Sequence, residues 1–229
     1  MSIFNRLTQR FTQAAAALLL AAAAPFAAAH AAPEAASALP ELAVGDLVFI
    51  RVPHKPFREV AAATGSWTNH VGVVVAVDED GRAQVAESTL PLSRTGPLER
   101  FVARSEGGRV AVRRLQEPLT PEQAARVVQA SAARQGVRYD TGFDLHSGGQ
   151  FCSRFVHEVL HEATGHRVGQ VQTFAELLQQ QPQAGLGFWR LWYLGAIPWQ
   201  RQTVTPASVL ASPLLVTVFD GRVDRAGRL

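Results

Sequence analysis

From His70 to Val77 the chain reads His-Val-Gly-Val-Val-Val-Ala-Val, and such a β-branched run has few possible homes. These side chains suit a pleated surface and lose rotamer freedom in a helix. Apolar residues at both parities also need cover on both faces, so the run predicts a strand buried inside a sheet. Its neighbours support that. Leu42 to Arg51 carries a turn signal at Gly45-Asp46 and then a short apolar strand, and Asp78-Glu79-Asp80-Gly81 is a hairpin turn from which Arg82 to Ser88 return as a partner strand. Gly108 to Leu115 reads as another strand, whereas Pro53 to Asn69 reads as a polar, irregular connection.

The hydrophobic period then changes. Thr120-Pro121-Glu122-Gln123 is a helix start, with Thr as N-cap, Pro at the first position and Gln at the third. Ala124, Val127, Val128, Ser131 and Ala132 form its expected inner stripe, and Gly136 ends it. A second helix opens with Cys152, where Cys152, Phe155, Val156, Val159, Leu160 and Ala163 fall on one face and Thr164-Gly165 closes it. Thr173-Phe174-Ala175-Glu176 resembles a capping box for a shorter helix to Gln180. Phe188 to Trp199 fits helix or loop equally, and Leu214 to Phe219 reads as a last strand. Strands first and helices later is α+β order rather than alternating βαβ.

Residues Met1 to Ala31 read as a secretory signal: Arg6 and Arg10 in the charged region, Ala14 to Ala24 as the apolar stretch, and Ala29-His30-Ala31 as a cleavage site. The expected location is periplasmic or extracellular, with one domain over 40–220 and no membrane span after cleavage. The leader holds two arginines and no acid, so the net charge of +3 falls to +1 without it. Basicity rests on dispersed arginines, with Lys55 the only lysine, which sets nucleic-acid partners aside. Nothing in the sequence calls for a cofactor, and the oligomeric state is not encoded in these patterns.

The single cysteine of an exported chain has no intramolecular disulfide partner. At a helix N-terminus, Cys152 faces unpaired N–H groups and the positive end of the helix dipole, which favour thiolate. A candidate base is His70, which opens the buried strand, with Gly72 leaving room on the same face. A two- or four-residue loop at the hairpin places Glu87 on the face of His70, Gly72 and Val74, whereas a three-residue loop places it on the other. Cys152 as nucleophile, His70 as base and Glu87 as orienter make a triad for acyl transfer. The backbone N–H of Cys152 would serve the oxyanion, with Tyr139 and Ser153 as further oxyanion or substrate-binding candidates, although a loop tyrosine reads first as an apolar anchor.

Gly45-Asp46-Leu47-Val48-Phe49, Asn69-His70-Val71-Gly72-Val73-Val74, Ala86-Glu87-Ser88, Gly136-Val137-Arg138-Tyr139-Asp140 with Phe143, Phe151-Cys152-Ser153-Arg154-Phe155-Val156 and Thr205-Pro206-Ala207-Ser208-Val209-Leu210 together resemble the YiiX/YebB-like cysteine hydrolases. These are circularly permuted relatives of the papain-like NlpC/P60 enzymes, and the histidine-before-cysteine order is the permuted one. The resemblance implies a permuted papain-like α+β fold, a small antiparallel sheet or half-barrel against a cysteine-bearing helix. It also implies amide hydrolysis by Cys152, His70 and Glu87, with cell-wall (peptidoglycan, murein) peptides as the usual substrates. Some relatives act on lipids, so a lipid or acyl-ester hydrolase or acyltransferase is an alternative. Arg154 stands where the family usually has Glu.

His157-Glu158-Val159-Leu160-His161 matches the zinc-protease pattern, with two imidazoles for metal and Glu158 as base. At about 100° per residue, His157 and His161 lie roughly 140° and 180° from Cys152. The pair is therefore expected on the solvated face, and no metal is assigned. A zinc metallopeptidase and an inactive binding module with Cys152 in its core are the remaining alternatives.

Overall fold

The computed structural model describes residues 39–223; the leader expected at residues 1–31 lies outside them. Six strands form an antiparallel sheet in the order β4 (Arg94–Pro97), β3 (Ala83–Glu87), β2 (His70–Val77), β1 (Leu47–Ile50), β5 (Arg109–Leu115), β8 (Leu215–Arg222). Short strands β6 (Val171–Thr173) and β7 (Gln202–Val204) pair separately. The β-branched run occupies β2, an interior position flanked on both sides, as its two-sided apolarity requires.

Each face of the sheet has its own cover. Leu47, Phe49, Val71, Val73, Ala86 and Ala111 pack with α3 (Pro121–Ala133) and α4 (Cys152–Thr164). Val48, Ile50, Val74, Val85, Val110 and Val112 pack with Leu98, Phe101 and Val102 of α2 (Leu98–Val102) and with Phe57 of α1 (Lys55–Ala63). All six stripe residues of α4 are buried, and Gly165 adopts the left-handed conformation (φ 81°) that ends it. Burying Phe155, Val156, Val159 and Leu160 stabilises the helix–sheet contact by about 1.5–3 kcal/mol per side chain.

Three local expectations need correction, and one segment left open is resolved. Pro53 to Asn69 is not irregular throughout, because α1 occupies Lys55–Ala63 with Pro56 in its first turn and buries Phe57, Ala61 and Ala63. The inner face of α3 is Val127, Ala130 and Ser131, while Val128 is 40% exposed and Ala132 also faces out. The open segment Phe188 to Trp199 starts within α6 (Leu186–Trp192), which packs Trp189 and Phe188 against Phe174 and Leu177 of α5 (Phe174–Gln180) in a third apolar cluster. Finally, His157 is buried, and it is discussed below with the site.

The hairpin carries the site and follows an unexpected rule. Asp78 and Arg82 close a three-residue loop, which on counting alone turns Glu87 away from His70. Near the turn Val77 pairs Ala83 and Ala76 pairs Gln84, but past Val75 the pairs become Val74 with Val85 and Val73 with Ala86. Val75 is the extra residue of a β-bulge, and it shifts the parity by one. Glu87 consequently returns to the face of His70.

Candidate active site

Cys152, His70 and Glu87 arrive from three elements. Phe151, the residue before α4, is extended (φ −127°, ψ 163°) and supplies no side-chain cap, so the first N–H groups of α4 remain open to the thiol. Cys152 is 3% exposed, with Sγ 4.0 Å from the Asn69 carbonyl oxygen. Asn69 is itself fixed: its Nδ2 donates to Val52 O at 3.0 Å and its Oδ1 accepts from Val52 N at 2.7 Å. That clamp sets the start of β2 and hence the position of His70.

The His70 ring stacks on Phe101 (centroids 5.5 Å) and meets Phe57 edge-on at 6.2 Å. A Cβ on Gly72 would lie 2.9 Å from the Phe101 ring and 2.5 Å from Val85, so the glycine makes room for the aromatic plate that holds the imidazole. His70 Nε2 lies 2.5 Å from Glu87 Oε2, while Nδ1 is buried without a hydrogen-bond partner. Glu87, in turn, accepts from Arg104 Nη2 at 2.7 Å and from Arg94 Nε at 3.2 Å.

The electrostatics are reciprocal. Burial draws the His70 pKa down, but the charge of the neighbouring Cys152, followed by Glu87, outweighs it and raises the imidazole to about 9. Burial pushes the Cys152 thiol up, yet the His70 charge, with backbone N–H groups of Val71 and Ser153, brings it below its ordinary value. For Glu87, burial is again opposed, here by His70 and then Arg104, and the carboxyl sits at about 2. The arrangement favours a thiolate–imidazolium pair.

Tyr139 belongs to a loop pinned on two sides: its N–H donates to Pro91 O at 3.0 Å, and it bridges to Gln150 just before α4. Its ring packs against Phe57 and Phe143 at 6.2 and 6.3 Å, as an anchor would, but its hydroxyl is buried with no hydrogen-bond partner. Burial first, and then the Cys152 charge, raise its pKa well above the usual phenol range. It stays protonated and available as a donor. Ser153 differs from the expectation for a binding hydroxyl, because its Oγ donates to Val204 O at 2.8 Å and only its backbone N–H faces the sulfur.

Arg154, at the family's glutamate position, serves the scaffold. It pairs with Glu158 at 2.7 Å and donates to Ser147 O and Gly149 O, both at 2.8 Å, tying the loop before Cys152 to α4. The helical-wheel expectation fails for His157, which is buried with Nδ1 2.7 Å from Val168 O; the chain after α4 folds back over that flank. His161 Nδ1 lies 3.1 Å from Gly165 O, and Glu158 is held by Arg154, so the three residues serve separate contacts.

Cys152 opens onto a narrow pocket with a cavity volume of about 60 Å³ beneath α1, α5 and α6. This pocket was not legible in the sequence, because its walls come from segments far apart in the chain. Among the described residues, no charged side chain lines it.

A family model described as a permuted papain-like amidase enzyme, YaeF/YiiX, C92 family, matches residues 41–219. The uncharacterized protein YiiX of Escherichia coli (strain K12) is 30% identical over 174 residues, covering 76% of this chain and 84% of that protein. A crystal structure titled metalloprotein yiiX from Escherichia coli O157:H7 superposes with a TM-score of 0.70 at 27% identity, covering 80% of this chain and 99% of that one.

Proposed function

Because the chain belongs to the permuted papain-like amidase family of YaeF and YiiX, we propose that it is a thiol amidase with Cys152 as nucleophile, His70 as general acid–base and Glu87 as the residue that orients and charges the imidazole. The observation that carries this reading is the state of His70: Nε2 engaged by Glu87, Nδ1 free, and its titration coupled to a cysteine at an uncapped helix N-terminus. The thiolate attacks the amide carbonyl, the imidazolium protonates the leaving amine, and water then hydrolyses the thioester with His70 as base. The backbone N–H of Cys152 and the Tyr139 hydroxyl stabilise the oxyanion.

The yiiX title names a metalloprotein, so the fit of a metal to these residues matters. Among the described residues no group of three or more His, Cys, Asp or Glu side chains converges. Glu87 already binds two arginines. The residues do not fit a resident metal, and no step is routed through one. Export is a second part of the proposal, supported by the signal-like pattern of residues 1–31.

The test is hydrolysis of a panel of amides by the purified chain. Loss with Cys152→Ala and with iodoacetamide, and indifference to chelators, is the expected result. Activity that survives Cys152→Ala and disappears with a chelator overturns the thiol reading in favour of metal chemistry.

A further inference from the structure

A recess of about 670 Å³ opens beside His70, with His54, Arg94, Arg104 and Glu106 in its wall. That is the size of a small-molecule site, whereas the pocket at Cys152 holds about 60 Å³. Phe57 lines both, so the two adjoin. The wall carries more positive charge than its carboxylates use. Glu87 is met by His70, by Arg104 Nη2 at 2.7 Å and by Arg94 Nε at 3.2 Å. Glu106 is met by Arg51 at 3.0 Å and by Arg58. Four guanidinium groups thus face two carboxylates, one of which also holds the imidazole. Arg94 reaches Glu87 through Nε, and its side chain is 57% exposed, so its terminal nitrogens are left at the recess. Arg104 is held over the Phe101 ring at 4.9 Å, with Nε buried and unpartnered. His54 makes no side-chain cap bond to α1.

We propose, building on the thiol-amidase reading, that this recess receives the leaving amine and that the amine carries an anionic group, a carboxylate or a phosphate, bound by Arg94 and its neighbours. The chemistry fixes the side. His70 must reach the departing nitrogen to protonate it, so the amine and whatever it carries come away against His70. The C–S bond forms, the C–N bond breaks with its electron pair on nitrogen, and the proton comes from the imidazolium. The amine then lies where His70 faces the recess. Guanidinium groups match the paired oxygens of a carboxylate or phosphate in geometry as well as charge. A neutral amine leaves the surplus of the wall unmet, and a cationic one adds to it. Orienting His70 needs Glu87, and a single arginine beside that carboxylate would balance it; the second arginine is the one with an open end.

The experiment measures kcat/KM on the full chain for N-acetylalanyl peptide amides that differ only in the leaving residue: glutamate, glutamine, phosphoserine, serine and lysine. Glutamate should exceed glutamine, or phosphoserine exceed serine, by about tenfold, with lysine slowest and the preference shrinking as salt rises. Which acid is preferred tells carboxylate from phosphate. In Arg94→Gln the preference should collapse. Rates on acidic and neutral peptides that fall together would show Arg94 acting only through Glu87 and overturn the assignment. Should that variant fail to fold, the salt dependence decides. Should no peptide turn over, NMR of the arginine Nε–H groups decides: saturable shifts at Arg94 with the glutamate α-amide or phosphoserine, and none with the glutamine α-amide, are expected, and their absence overturns the site. Equal rates for acidic and neutral leaving groups, with acyl-Cys152 detected by intact mass, overturn the anion site and leave the thiol reading standing. Turnover that survives Cys152→Ala overturns both.

Discussion

Replacing Tyr139 with Phe should make the protein more stable and less active at once. The Tyr139 hydroxyl is buried and has no hydrogen-bond partner, so folding strips it of water without compensation. Such an unmet group costs about 1–3 kcal/mol, and deleting it in an otherwise isosteric ring returns that amount. The ring contacts with Phe57 and Phe143 survive the change. For a domain of this size, 1 kcal/mol corresponds to roughly 2–4 °C in Tm. The catalytic effect has the opposite sign: losing one oxyanion donor lowers kcat by about 10²–10³-fold. Calorimetry and steady-state kinetics on the same preparation measure both. Alkylation by iodoacetamide, which passes through no oxyanion, should be roughly unchanged and isolates the donor role from damage to the thiolate. A Tyr139→Phe protein that melts lower and turns over normally would refute the reasoning, since the hydroxyl would then be a satisfied structural group.

Glu87→Gln should lower the His70 pKa from about 9, because the carboxylate helps hold it up, and so narrow the active range on its alkaline side; an unchanged pH–rate profile assigns the orienting role elsewhere. For stability, His70 has a folded pKa of about 9 against an ordinary 6.5, so its contribution is complete below 6.5 and lost as pH rises through 9. Glu87 runs the other way, present above 4.5 and lost as pH falls through about 2. Denaturant titration across pH should therefore show both edges. Gly72→Ala should displace Phe101 and cost about 1–3 kcal/mol by overpacking, with a larger loss in kcat than in binding, because the ring that holds His70 moves. Arg154→Ala should loosen the loop before Cys152 and raise its hydrogen exchange, while thiol reactivity at saturating pH stays within about twofold.

The sheet, the capped helices and the core-facing stripe of α4 were legible because each follows from local periodicity: β-branched runs, capping boxes at Thr120 and Thr173, and six residues on one helical face. Where long-range packing decides, local pattern was insufficient. His157 lies on the flank that the wheel assigns to solvent, and only the return of the chain to Val168 covers it. His70 and Glu87 lie together although the loop is the three-residue one whose parity separates them; the bulge at Val75 supplies the missing residue, and nothing local marks Val75 among the valines of β2. Ser153 and Tyr139 looked alike as candidates. Their difference is whether a carbonyl happens to lie within reach of the hydroxyl, which depends on β7 for one and on the pocket wall for the other.

The chain has one cysteine, and the imidazole that acidifies it enters from a strand far earlier in the sequence. In an unfolded chain those two groups are strangers, and the thiol titrates near its ordinary value of about 8.5. A thiol more acidic than an ordinary cysteine is therefore a property of the assembled tertiary structure and of no fragment of it. The protein carries an intrinsic label of its own folding: at a pH below the ordinary thiol range, a brief pulse of alkylating reagent should mark the native molecules faster than the unfolded ones.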